Sequence, residues 1–123
     1  MFAIEVHAEF LAYHQLRLAK MRLEPLHDHT WRVTARVVSP RLDPLETVMD
    51  FHALERSLKI ICAQWNNRNL NDIAPFNRAV NPSAERVAQR IAELLAPEIP
   101  VPATLQSVAI TEAPGCVAIY LLE

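Results

Sequence analysis

The chain has 123 residues, the size of one ordinary domain, and 51% of them are hydrophobic, enough to bury a core without staples. A formal net charge of −2 gives no bulk attraction to nucleic acid or membrane, and no apolar run approaches the length of a membrane span. Two cysteines, Cys62 and Cys116, are too few for a disulfide framework or a cysteine zinc site, and a single glycine, Gly115, excludes phosphate-cradling loops, which need several.

The first element is expected over residues 2–10. Phe2, Ile4, Val6, Ala8 and Phe10 share one parity, the period of a half-buried strand. That alternation, with early acids, is unlike a leader peptide. Both cysteines read as buried or half-buried thiols of a reducing compartment, so a cytoplasmic location is expected. Residues 29–38 repeat the strand signal, with Trp31, Val33, Ala35 and Val37 on one face and Thr30, Arg32, Thr34 and Arg36 on the other. These two strands are expected to pair.

A proline-containing loop leads to a helix over 51–65, where Leu54, Leu58, Ile61 and Trp65 form a stripe. The polar run NNRNLND stops it, because Asn and Asp side chains compete for backbone groups. A second helix is expected to open at Asn81 as N-cap with Pro82 in its first position. Its apolar stripe is Ala84, Val87, Ala88, Ile91 and Leu95, and Pro97 and Pro100 end it. Residues 105–122 read as strand, turn at Pro114-Gly115, strand. The order ββααββ makes residues 1–123 a single α+β domain, an antiparallel sheet with two helices on one face. The last strand is apolar along most of its length, so an edge of this sheet invites pairing with another copy.

Three of the five histidines cluster. His27 and His29 flank one residue, so on a strand both imidazoles leave the same face. His14 follows the first strand and shares the parity of its apolar side. Three neutral imidazoles with a fourth position open would make a zinc site of the catalytic type. The competing reading is a pair of polar surface histidines, and proximity of His14 does not follow from sequence. His7 falls on the polar side of its strand, and His52 sits at a helix start beside Asp50. Arg17, Lys20 and Arg22 read as a solvated basic loop before the histidine pair, with a substrate phosphate as the alternative.

Six segments in order carry a resemblance: FLAYH (10–14), LHDHTWRV (26–33), VMDF (48–51), NLND (69–72), NPSAERVA (81–88) and VAITEAPGCVAIY (108–120). Together they resemble the signature segments of the 6-pyruvoyl-tetrahydropterin and 6-carboxy-tetrahydropterin synthase family. The resemblance implies the tunnelling fold, in which subunits join edge to edge into a barrel, usually a hexamer, with sites at subunit interfaces. It implies Zn²⁺ on His14, His27 and His29, and a dihydroneopterin-type pterin whose amino-pyrimidine edge is held by Glu112. A carboxylate suits that edge because it accepts two parallel N–H bonds. The resemblance also makes Ser83 a ligand contact. Glu85, in the first helical turn, reads as structural.

The chain departs from the family pattern at four places. The family's catalytic cysteine position is Leu23, its Asp-His pair falls on Asn66 and Asn67, and the Gly between the zinc histidines is Asp28. Glu24, three residues before His27, matches a subgroup in which a glutamate replaces the cysteine. Such proteins cleave the side chain of a dihydroneopterin to 6-hydroxymethyl-dihydropterin for folate-type cofactors, with Glu24 as the implied general base. The competing reading of Glu24 is a solvated loop acid. Three functions therefore stand: a zinc-dependent pterin side-chain lyase, a pterin-binding protein without turnover, and a 6-pyruvoyl- or 6-carboxy-tetrahydropterin synthase.

Overall fold

The computed structural model describes residues 1–123. Strand β1 runs Phe2–His14, β2 His27–Ser39, and β3 is the pair Arg68–Asn69; β4 is Thr104–Ala113 and β5 Cys116–Leu121. Helix α1 is Phe51–Ala63 and α2 Ala84–Leu95. One five-stranded sheet has the order β3-β1-β2-β4-β5. All its pairings are antiparallel except the short parallel contact of β3 with β1.

Strands β1 and β2 pair without a break from Phe2 opposite Ser39 to His14 opposite His27. Val6, Ala8, Phe10 and Ala12 on β1 and Trp31, Val33, Ala35 and Val37 on β2 are buried on one face. Helix α1 covers β1, and α2 covers β4 and β5. Leu54, Leu58 and Ile61 from α1, and Val87, Ala88, Ile91 and Leu95 from α2, close the core against that face. The opposite face is polar. Glu5 meets Arg36 and Glu9 meets Arg32, each at 3.1 Å, and His7 Nδ1 lies 2.9 Å from Thr34 Oγ1. No helix is long and apolar enough to cross a membrane.

Several boundaries differ from the sequence reading. β1 runs four residues further than alternation suggests, so His14 ends the strand instead of following it. The run after α1 is not only a stop: Arg68 and Asn69 pair with Ala12 and Tyr13 as β3. Helix α2 is capped by Ser83, whose side chain accepts from the Arg86 N–H at 3.2 Å, and not by Asn81. Asn81 is occupied elsewhere: its Oδ1 accepts from Arg17 N at 2.8 Å and its Nδ2 donates to Arg17 O at 3.0 Å. Pro82 therefore precedes the helix. Cys62 is buried in the core, where desolvation pushes its thiol up to about 12, whereas Cys116 is exposed and not half-buried.

Candidate metal centre

Antiparallel pairing at the far end of β1 and β2 sets His14 opposite His27 and Ala12 opposite His29. All three histidines have the parity of the buried face. Ring centroids of His14 lie 4.4 Å from His27 and 4.9 Å from His29, so the structure joins what spacing alone could not. Trp31 forms the floor, stacked on His29 at 4.3 Å and edge-on to His14 at 4.7 Å. Its indole N–H donates to the Ala12 carbonyl at 3.3 Å. Asp28, between the histidines, is exposed on the other side of the strand.

Hydrogen bonds fix which nitrogens face the centre. His14 is 1% exposed, and its Nδ1–H donates to the Pro82 carbonyl at 2.8 Å. His27 Nδ1–H donates to the Pro25 carbonyl at 3.0 Å. A carbonyl only accepts, so each ring in its neutral form carries the lone pair on Nε2, the arrangement a metal-ligating histidine takes when an outer group holds its other nitrogen. His29 Nδ1 is buried without a partner, so stacking on Trp31 takes the place of such an anchor. His14 Nε2 and His29 Nε2 are 3.1 Å apart. A proton or a cation must lie between them, since two lone pairs at that distance repel. Burial holds the His14 imidazole below its ordinary range, against the Pro82 hydrogen bond, which favours the charged form.

The fourth member of the cluster is Glu112. Its Oε1 lies 3.5 Å from both His14 Nε2 and His29 Nε2. One ligand atom from each of His14, His27, His29 and Glu112 lies within 4.8 Å of all the others. Three imidazoles and a carboxylate suit zinc and the later first-row divalent ions, and disfavour calcium and magnesium, which take oxygen ligands. The residues present therefore fit a metal of that class.

Glu24 lies beside this cluster and not in it. Its Oε1 accepts from Leu16 N at 2.9 Å and stands 4.0 Å from His27 Nδ1. The acid thus clasps the loop between β1 and β2, with its second oxygen uncommitted. Ser83 caps α2, and its neighbour Pro82 holds His14, so the start of the helix is tied to the centre through the backbone. Arg17 is not a free loop cation as read from sequence: its guanidinium donates to the carbonyls of Phe76 and Val80. Asn66 Oδ1 accepts from Leu11 N at 3.0 Å, and Asn67 N donates to Leu11 O at 2.6 Å, so both dock on the β1 edge.

A cleft of about 360 Å³ adjoins the centre, lined by Ala84, Glu85, Glu112, Gly115 and Cys116 among others. A larger depression of about 440 Å³ lies on the outer face of α1 and touches none of these residues. Donor chemistry, not volume, selects the site. Sequence reading missed the Pro82 carbonyl, the Trp31 floor and the approach of Glu112 to the histidines. Nothing in the sequence signals a backbone acceptor, and the place of Glu112 depends on a strand irregularity.

Residues 3–123 match the family model for 6-pyruvoyl tetrahydropterin synthase. No curated protein sequence matches the chain. Among solved structures, a Caenorhabditis elegans 6-pyruvoyl tetrahydropterin synthase is similar at TM-score 0.83 and 22% identity, over 99% of this chain and 96% of that one. A Plasmodium vivax 6-pyruvoyltetrahydropterin synthase is similar at TM-score 0.74 and 18% identity, over 98% of each chain; that protein is described as a catalytic-residue mutant, glutamate to alanine. At these identities the structures establish a shared fold: α+β, with the sheet and two helices of the tunnelling fold.

Proposed function

The chain belongs to the 6-pyruvoyl tetrahydropterin synthase family, and from that premise we propose that it is a zinc-dependent lyase that cleaves the side chain of a dihydroneopterin-type pterin to a 6-hydroxymethyl-dihydropterin. The observation that carries this reading is Glu24, held by the Leu16 N–H and 4.0 Å from His27, with Leu23 where the family's cysteine would stand. The Plasmodium vivax relative, whose mutated catalytic residue is a glutamate, supports a carboxylate in that role.

His14, His27 and His29 would hold the metal, with Trp31 beneath them. Zinc there supplies Lewis acidity that favours proton loss from a substrate hydroxyl. Glu24 accepts the proton of the hydroxyl on the second side-chain carbon. The bond between the first and second side-chain carbons then breaks, and a two-carbon aldehyde leaves. The electron pair passes into the pterin ring, and the proton taken by Glu24 returns to the carbon that stays. Glu112 accepts N–H bonds from the amino-pyrimidine edge in the adjoining cleft. Ser83, whose hydroxyl hydrogen is not used by the helix cap and whose neighbour Ala84 lines that cleft, would be a further ligand contact.

A second reading, a pterin-binding protein without turnover, is favoured by Asn66 and Asn67. The Asn66 side chain is committed to the Leu11 N–H, Asn67 bonds Leu11 O through its backbone N–H, and a side-chain amide cannot relay a proton at neutral pH. The chain would act as a cytoplasmic homo-oligomer, a hexamer by resemblance. β5 is an edge strand with Val117, Ile119 and Leu121 exposed, and β1 has only β3 on its outer side. Incubation with dihydroneopterin and with its triphosphate, followed by chromatography, tests the reading. The expected product is 6-hydroxymethyl-dihydropterin; a 6-pyruvoyl or 6-carboxy product would overturn it, and binding without product would favour the second reading.

A further inference from the structure

We propose that Glu112 is a fourth, displaceable ligand of the metal centre: it closes the centre when no substrate is present and releases it when substrate enters the cleft. The inference rests on the metal-binding part of the proposed function and concerns a role that recognition of a pterin does not require.

Three observations carry it. The first is the shape of the donor set. His14 Nε2, His29 Nε2 and Glu112 Oε1 form a triangle with sides of 3.1, 3.5 and 3.5 Å. Four donors about 2.0–2.1 Å from one tetrahedral ion are separated by about 3.3–3.4 Å, so these three atoms already sit close to tetrahedral edges. A His27 ring nitrogen lies within 4.8 Å of each of them.

The second is the partnership of the carboxylate. Within 4.0 Å its only ion-pair partners are His14 and His29, and no lysine or arginine pairs with it at that distance. His14 presents a lone pair toward it, because its Nδ1–H is spent on Pro82. A carboxylate facing a lone pair is repelled unless a proton or a metal cation joins them, and a metal ion joins all the donors at once.

The third is the backbone. Glu112 is skipped by both ladders of its strand. Pairing of β4 with β2 ends at Thr111 opposite Arg32, and pairing with β5 steps from Thr111 opposite Val117 to Ala113 opposite Cys116. Such a bulge re-aims one side chain and loosens it from the sheet. The Glu112 side chain is 41% exposed and lines two clefts, of about 360 and about 280 Å³. A permanent structural ligand would be enclosed. This one reaches the histidines and has open space to move into.

The test uses the metal-free full-length protein. Zinc affinity is measured by competition with a chelating dye for wild type, Glu112→Gln and Glu112→Asp, with circular dichroism reporting the fold. Cobalt(II) replaces zinc to report coordination, since four-coordinate cobalt absorbs far more strongly in the visible than higher-coordinate cobalt. Loss of an outer-shell partner alone weakens metal binding about 10–100-fold, so Glu112→Gln should weaken zinc by at least that much and change the cobalt band. Glu112→Asp keeps the carboxylate on a shorter arm and should fall between. Dihydroneopterin added to wild-type cobalt protein should change the band, and added to the Gln variant should change it less. Zinc affinities and cobalt spectra equal across the folded variants would overturn Glu112 as a ligand while leaving the metal centre intact. A wild-type protein that binds neither ion would instead remove the metal reading itself.

Discussion

His14 and Glu112 lie 3.5 Å apart, yet their backbones are held very differently. His14 ends a strand paired residue for residue with β2, is 1% exposed, and has its ring fixed by Pro82 and Trp31. Glu112 sits on a bulge, outside both ladders of β4, with its side chain 41% exposed. Glu24 resembles Glu112 more than His14: it stands on an irregular loop, where its Oε1 accepts from Leu16 N and its own N–H donates to Leu16 O. In the proposed function the groups that would hold an ion stand on rigid strands, and those that would take a proton or admit a ligand stand where the backbone can adapt.

The largest effects should come from the rigid side. His14→Ala and His27→Ala should each abolish zinc binding, since two remaining imidazoles rarely hold zinc against water. They should differ in stability. His14→Ala strands the buried Pro82 carbonyl and should lower unfolding stability by about 1–3 kcal/mol, whereas His27, on exposed ground, should cost far less. Equal destabilisation in denaturant melts of the metal-free variants would break the contrast.

Next comes the split between the two carboxylates. Glu24→Gln should lower turnover of dihydroneopterin by about a hundredfold or more with pterin affinity almost unchanged. Glu112→Gln should weaken pterin binding about tenfold or more, because an acceptor oxygen becomes a donor facing an N–H. Titration calorimetry showing the same affinity loss in both would place Glu24 in the binding shell.

A smaller effect is expected at Asn81, which clips the Arg17 backbone and precedes the carbonyl that orients His14. Asn81→Ala should cost about 1–3 kcal/mol in chemical denaturation and weaken zinc measurably, although the residue touches no ligand. An unchanged zinc affinity would show that Pro82 is placed without this clamp. The smallest effect is on pH. Burial holds His14 below its ordinary 6.5, so between the two values the unfolded chain binds the proton that the folded chain refuses. Stability of metal-free protein should therefore fall as pH drops through and below 6.5, and His14→Ala should flatten that slope.

Much of this was legible in sequence because it depended on period. The parity of Phe2 to Phe10, the His27/His29 pair and the Leu54–Leu58–Ile61 stripe each placed residues on the right face. The short pairing of Arg68–Asn69, the passage of the N-cap from Asn81 to Ser83, and the use of Arg17 on the carbonyls of Phe76 and Val80 were not legible. Each depends on a hydrogen bond between residues distant in sequence, where local propensity gives one answer and an available partner another. Glu112 shows the same at the site: the resemblance identified the residue, but only the bulge explains why its carboxylate meets His14 and His29.

The central claim is that His14, His27 and His29 form a metal centre, and the most direct measurement is the metal content of full-length protein purified without chelator. Elemental analysis should find about one zinc per chain, lost in His27→Ala. Zinc near zero in wild type, with no uptake from added zinc, would contradict the account and leave three converging imidazoles with no ion to explain them.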